Sequence, residues 1–301
     1  MKLANEEAET ALAALSKLCS DVQPDGPWRW RCAVQNGTRL PVSARFADGF
    51  LRLESLPEGL VNGTGALTRA AALNAGLTGG VKIAARGAMP GLKLCTDIVV
   101  LDEVQLAKRL EWSFDGFHEC SSLTPACEPA ANPAMTRTEE APLQVGQDVL
   151  DNIPWQLDSL ESGEYSVTLD ADAARPARVR FDRGHTSARV DLIHADAGAQ
   201  LSRQALACYL LAATGALRFV RACCVESEAR STYSLSVVLP AEPKAEELDH
   251  ALAALSAAHR LCAREATVLL DETVAGHYLA VRAITTCIAT ETGEEKQNGK
   301  S

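Results

Sequence analysis

The chain has 301 residues, which leaves room for two domains of ordinary size. It is 47% hydrophobic and 23% charged, the balance of a chain that buries a real core, which excludes an unfolded polar polymer. Its formal net charge of −10 argues against a broad nucleic-acid surface, because such surfaces neutralise phosphates with clustered Lys and Arg.

In chain order, residues 4–20 predict a helix, with Leu12, Leu15 and Cys19 on one face. Pro24, Gly26 and Pro27 stop it. Trp28, Trp30, Cys32 and Val34 then alternate with Arg29, Arg31 and Ala33, the period of a half-buried strand. Asn36-Gly37 predicts a hairpin into Val42, Ala44 and Phe46, and Asp48-Gly49 a second turn into Leu51 and Leu53. An alanine-rich helix follows over 64–78, ended by Gly79-Gly80. Two strands, 81–85 and 92–101, and a helix over 103–120 complete the first half. Prolines 125, 129, 133 and 142 mark an aperiodic linker.

The second half repeats this order. A helix is expected over 145–161, complicated by Pro154. Strands follow around 167–169, 177–181 and 188–192, then a helix over 201–213, strands at 217–222 and 233–239, and a helix over 244–263. Residues 41–49 and 176–184 both fit P-x-x-x-R-F-x-x-G, matching Arg45 with Arg180, Phe46 with Phe181 and Gly49 with Gly184. Further matches run in the same order: Leu67-Thr68-Arg69 with Leu201-Ser202-Arg203, Lys82 with Arg218, Val99-Val100-Leu101 with Val237-Val238-Leu239. The expected architecture is therefore α+β. Two tandem α-β-β-β-α-β-β-α domains, each an antiparallel sheet packed with helices, form a pseudo-dimer. The divisions are 1–122, a linker at 123–143, a second repeat with a C-terminal extension at 144–289, and a flexible tail at 290–301.

This element order is similar to the type III secretion chaperone-like fold, the group containing the Tir chaperone and YbjN-like proteins. That resemblance implies a small acidic α/β subunit that pairs with a second copy, and a surface of apolar patches and sheet edges that holds an extended client segment. This chain is about twice the length of such subunits and adds a Pro-rich linker and an extension.

Candidate residues divide by chemistry. Trp28 and Trp30 share a strand face and are either partner anchors or core. Arg45 and Arg180 recur in equivalent strands, where they either contact an anion or line a solvated face. Arg178, Arg180 and Arg189 can form a basic stripe, with Asp170, Asp172, Asp182 and Asp191 positioned to neutralise it across strands. The strands carrying Val99, Leu101, Val237 and Leu239 are the expected partner-binding edges. His185, Asp191 and His194 are the residues an interdomain catalytic cleft would use, but no nucleophile accompanies them. His118/Cys120 and His259/Cys262 lack a second nearby ligand pair, so no metal or other cofactor is expected. The ten cysteines include no Cys-x-x-Cys, and Cys223 and Cys224 point to opposite faces of a strand. The acidic start predicts no secretory leader, and the longest apolar run, Ala205 to Leu217, is too short for a bilayer. A cytoplasmic, non-enzymatic protein that binds a protein or peptide partner is the leading expectation, as a monomeric pseudo-dimer or a homo-oligomer. The alternative is a hydrolase or transferase acting in the interdomain cleft.

Overall fold

The computed structural model describes residues 2–36, 38–56, 64–77, 79–86, 91–122, 147–169 and 176–282. The expected linker at 123–143 and tail at 290–301 lie outside them. The first half runs α1 (Lys2–Leu18), β1 (Cys19–Pro24), β2 (Arg29–Asn36), β3 (Thr38–Ala47), β4 (Phe50–Ser55), α2 (Thr64–Asn74), β5 (Lys82–Ala85), β6 (Leu92–Val99) and α3 (Glu103–Ser122). The second runs α4 (Gln147–Asp151), β7 (Leu157–Ser159), β8 (Tyr165–Val167), β9 (Ala177–Phe181), β10 (His185–Asp196), α5 (Gln200–Ala216), β11 (Arg221–Glu226), β12 (Arg230–Pro240) and α6 (Ala245–Val268). A further helix occupies 272–282.

The fold is α+β, with two antiparallel six-stranded sheets of the same topology. One is ordered β1-β2-β3-β4-β6-β5 and the other β7-β8-β9-β10-β12-β11. Each half thus has one strand more than the periodicity predicts. The helix expected over 4–20 ends at Leu18, and the chain passes directly into β1, an edge strand without apolar alternation. The helix expected over 145–161 reduces to α4, and the chain beyond Pro154 forms β7. The buried stripe of α1 is Ala8, Ala11, Ala14 and Leu15, whereas Leu12 is 37% exposed. Small side chains there let α1 pack closely on α3.

Phe46 and Phe181 are both core residues, as the repeat requires. Asp48 and Gly49 have φ of 52° and 77°, so the β3–β4 hairpin has the doubly left-handed turn that suits twisted strands. Gly184 matches Gly49 in sequence but has no left-handed φ, and a Cβ there meets nothing within 4 Å.

The halves are related as the two sides of a self-complementary interface. α2 packs on β11, α5 packs on β5, and α2 and α5 pack on each other. Backbone register sets the equivalences. Phe50 pairs with Val99 and His185 with Pro240, while Lys82 pairs with Cys95 and Arg221 with Ser236. Lys82 therefore corresponds to Arg221, and Arg218 lies in the loop before β11. By the same register Gly80 corresponds to Phe219, and both are left-handed, at φ 67° and 59°. Gly80 needs that freedom, since a Cβ there would fall 2.4 Å from Trp112.

Candidate functional site

Each sheet has a core face under helices and a polar face. On the first sheet, direct pairing sets Arg29, Arg45, Arg52 and Asp97 in one row across β2, β3, β4 and β6. Arg31, Ser43, Glu54, Cys95 and Lys82 form the next row. The inner end of these rows is buried under the second half, and the outer end is open.

The inner end is a cluster of buried charge. Lys82 is 1% exposed. Its ammonium donates to the carbonyls of Thr214 (2.8 Å), Val220 (3.0 Å) and Leu217 and lies 3.7 Å from Asp97 Oδ2. Those carbonyls lie at and just beyond the C-terminal end of α5, where the helix dipole favours a cation. Asp97 Oδ2 also accepts from the Phe219 amide at 3.0 Å, while Oδ1 is buried without a hydrogen bond, 3.8 Å from Arg52 Nε. Arg52 Nε lies 3.0 Å from Glu54 as an ion pair without a hydrogen bond, and the Arg52 guanidinium donates to the carbonyl of Gly215. Burial lowers the pKa of Lys82, against the opposing pull of Cys95 and Asp97. Burial is the largest influence on Arg52 and opposes its charge, but Asp97, Cys95 and Glu54 together outweigh it and the guanidinium ends above its ordinary value. Burial raises the Cys95 thiol despite Lys82 and Arg52 beside it.

More contacts between the halves close around this cluster. Arg218 bonds Asp48 at 2.8 Å and lies 4.1 Å over the Phe50 ring, and Phe50 meets Phe219 and His250 edge-on. Arg109 on α3 grips Glu247 on α6 through two bonds of 2.7–2.8 Å. Between them lies a crevice lined by Asp97, Trp112, Ser113, Phe219 and the Arg109–Glu247 pair. It has room for roughly one water, too little for a substrate. Asn74 on α2 completes the join. Its amide nitrogen donates to Ile83 O and Ala222 O, and its oxygen accepts from Ile83 N, so one side chain satisfies the inner edges of both sheets.

The outer end is different. Arg29 and Arg45 are exposed and stand directly opposite each other. Among the described residues neither side chain has a hydrogen bond or ion pair, whereas Arg31 next to them bonds Asp25 at 2.8 Å. On the second sheet Arg180 bonds Asp182 at 2.6 Å and Arg189 bonds Asp191 at 3.2 Å, with Arg178 exposed opposite Arg189. Each acid lies two residues further along the chain, Asp191 within β10 and Asp182 just past the end of β9, so the neutralisation expected across strands runs along the chain instead. Asp170 and Asp172 lie outside the described residues. The difference between Arg45 and Arg180 is written in the sequence. Two residues after Arg180 stands Asp182, and two after Arg45 stands Ala47.

The other sequence candidates scatter. Trp30 is core, while Trp28 is 40% exposed in the turn before β2, at φ 54° and edge-on to Phe46. The two do not form one surface. Val99, Val237 and Leu239 are buried on β6 and β12, and Leu101 is half-buried just past β6. Those strands are interior, flanked by β4 and β5 or by β10 and β11, so they are not the edges that the sequence suggested. The outer edges are β1 and β7. β1 carries a register shift between Ser20 and Gln23 and ends in Pro24, and β7 has three residues, features that discourage strand addition. His185 pairs with Asp182 and His194 with Thr232, so the three residues considered for a cleft have separate partners. Cys223 and Cys224 are both buried on β11, and only Cys224 joins the main core. Among the described residues no group of three His, Cys, Asp or Glu side chains is gathered as for a metal ion, and no helix is long and apolar enough to cross a membrane.

Sequence pattern alone missed the Lys82–Asp97 pair. The available signal was a single charge inside an apolar run, Val-Lys-Ile-Ala-Ala and Thr-Asp-Ile-Val-Val. No family model matches the chain, and comparison with curated proteins finds no match.

Proposed function

We propose that this is a non-enzymatic, chaperone-like binding protein that holds an acidic segment of a partner protein against the open face of β2 and β3. The observation carrying this reading is the Arg29–Arg45 pair. Like charges directly opposite on a sheet destabilise it by roughly 0.2–1 kcal/mol, and a bound carboxylate between them reverses the sign. In a chain of net charge −10 such an uncompensated pair stands out from its surroundings. The guarded outer edges favour recognition by a sheet face over strand addition. The resemblance to secretion chaperones, whose paired subunits hold extended clients, points the same way. The free cysteines suit a reducing, cytoplasmic setting.

The test uses a fluorescein-labelled peptide of alternating Glu and Val, with fluorescence anisotropy of the full chain at rising salt. Binding is expected to weaken with salt and to fall about tenfold or more in Arg45→Glu. Arg180→Glu, whose parent side chain is already paired with Asp182, leaves it unchanged. Equal binding by wild type and Arg45→Glu, or no binding at all, overturns the reading.

A further inference from the structure

Cys19 opens β1 and Cys32 lies within β2. The register pairs Cys19 with Val34, which puts Cys32 two residues along and on the same face. In a regular ladder such diagonal neighbours stand about 7–8 Å apart between Cα atoms. Here the ladder is irregular. The register shifts between Ser20 and Gln23, and Asp21 has φ 54°, so the edge strand bends beside Cys32. Interaction between the two thiols lowers the Cys32 pKa below its ordinary value against the effect of burial, and with burial it raises Cys19. Cys32 is 6% exposed, while Cys19 is half-buried at the outer edge of the sheet. Other described thiols keep different company: Cys95 has Lys82, Cys120 has Glu119 and Arg221, Cys208 has Tyr278 and Cys262 has Tyr209.

We propose that Cys19 and Cys32 are an oxidation site, closed to a reversible disulfide by a hydroperoxide. The Cys32 thiolate attacks one peroxide oxygen, the O–O bond breaks, and the leaving oxyanion takes up a proton. Cys32 is then a sulfenic acid. Cys19, giving up its thiol proton, attacks that sulfur, and the S–O bond breaks to release water. Two thiols are oxidised by two electrons, and the peroxide is reduced to water and an alcohol, or to two waters if it is hydrogen peroxide. The bond pins β1 to β2 at the bend and fixes the point where α1 enters the sheet.

The test treats the full chain with hydrogen peroxide, denatures and alkylates it, and maps its tryptic peptides by mass spectrometry. The expected product joins the peptide 18–29 to the peptide 32–39, two hydrogens lighter than the separate thiols, and a reductant restores both. In Cys19→Ser, Cys32 stops at the sulfenic acid and is captured by dimedone. Both thiols remaining alkylatable, a link from either to Cys127 or Cys287, or equal dimedone capture at Cys32 with and without Cys19 overturns the proposal.

Discussion

Lys82→Met tests the join between the halves most directly. Methionine keeps most of the stem and removes the ammonium. Asp97, whose side chain is 1% exposed, then keeps the Phe219 amide at 3.0 Å and the more distant Arg52 at 3.8 Å as its charge-stabilising contacts. The carbonyls of Thr214, Leu217 and Val220 lose the same donor. Removing one partner of a buried pair costs about 3–5 kcal/mol, because the other charge stays behind in a dry place. That is a large part of a total stability of roughly 5–15 kcal/mol. Asp97→Asn keeps an acceptor for Phe219 and removes the negative charge. Combined with Lys82→Met it is expected to recover about 1–3 kcal/mol relative to the sum of the single changes. Urea unfolding followed by fluorescence of the four tryptophans measures all three variants. A cost below about 1 kcal/mol for Lys82→Met, or strict additivity in the double variant, refutes the account of a coupled buried pair.

Two further outcomes follow from the same interface and core. Asn74→Ala leaves Ile83 N, Ile83 O and Ala222 O without their side-chain partner. It is expected to cost about 2–4 kcal/mol and to speed hydrogen exchange at the Ile83 amide, and unchanged exchange there contradicts the capping role. Alkaline pH is expected to destabilise the fold. Burial raises Cys95 and Cys223 and pushes Cys120 up to about 12 and Cys224 and Cys262 up to about 11, from an ordinary value of 9.0. Below pH 9.0 both states keep these protons. Above it the unfolded thiols ionise while the folded ones do not, so each removes up to about 1.4 kcal/mol per pH unit until its folded value is passed. Lys82, lowered by burial, opposes this only up to 10.5, and Cys32, held below its ordinary value, only up to 9.0, two groups against five thiols. Urea midpoints between pH 8 and 10 are expected to fall, and Cys262→Ala to flatten the slope, whereas a level profile contradicts it.

The duplicated meander was legible because its signals are local. Phe46 and Phe181 alternate with exposed neighbours, and Asp48-Gly49 names its own turn. β1 was not legible, because Cys-Ser-Asp-Val-Gln-Pro has no period, and an edge strand with one half-covered face needs none. Matching by residue type aligned Lys82 with Arg218, three positions short of Arg221, because a loop of unequal length precedes each strand and only hydrogen-bond register corrects for it. Arg45 was legible as an outward residue. That it has no counter-ion among the described residues became clear only once Asp48 was seen turned toward Arg218. The interdomain cluster could not be read, since nothing local announces that Lys82 meets carbonyls more than a hundred residues away.

The Asn74 bridge also bears on synthesis. Its acceptor at Ala222 lies 148 residues downstream. At about 5–20 residues per second a ribosome needs roughly 7–30 s to deliver that strand after Asn74 is made. Throughout that interval the first half has its sheet but not its seal. The β5 edge has no β11 beside it, and Lys82 has no helix end to enter. Until the second half emerges, the nascent first half therefore presents an unsealed strand edge and a lysine without its carbonyl partners, features of the kind that favour aggregation.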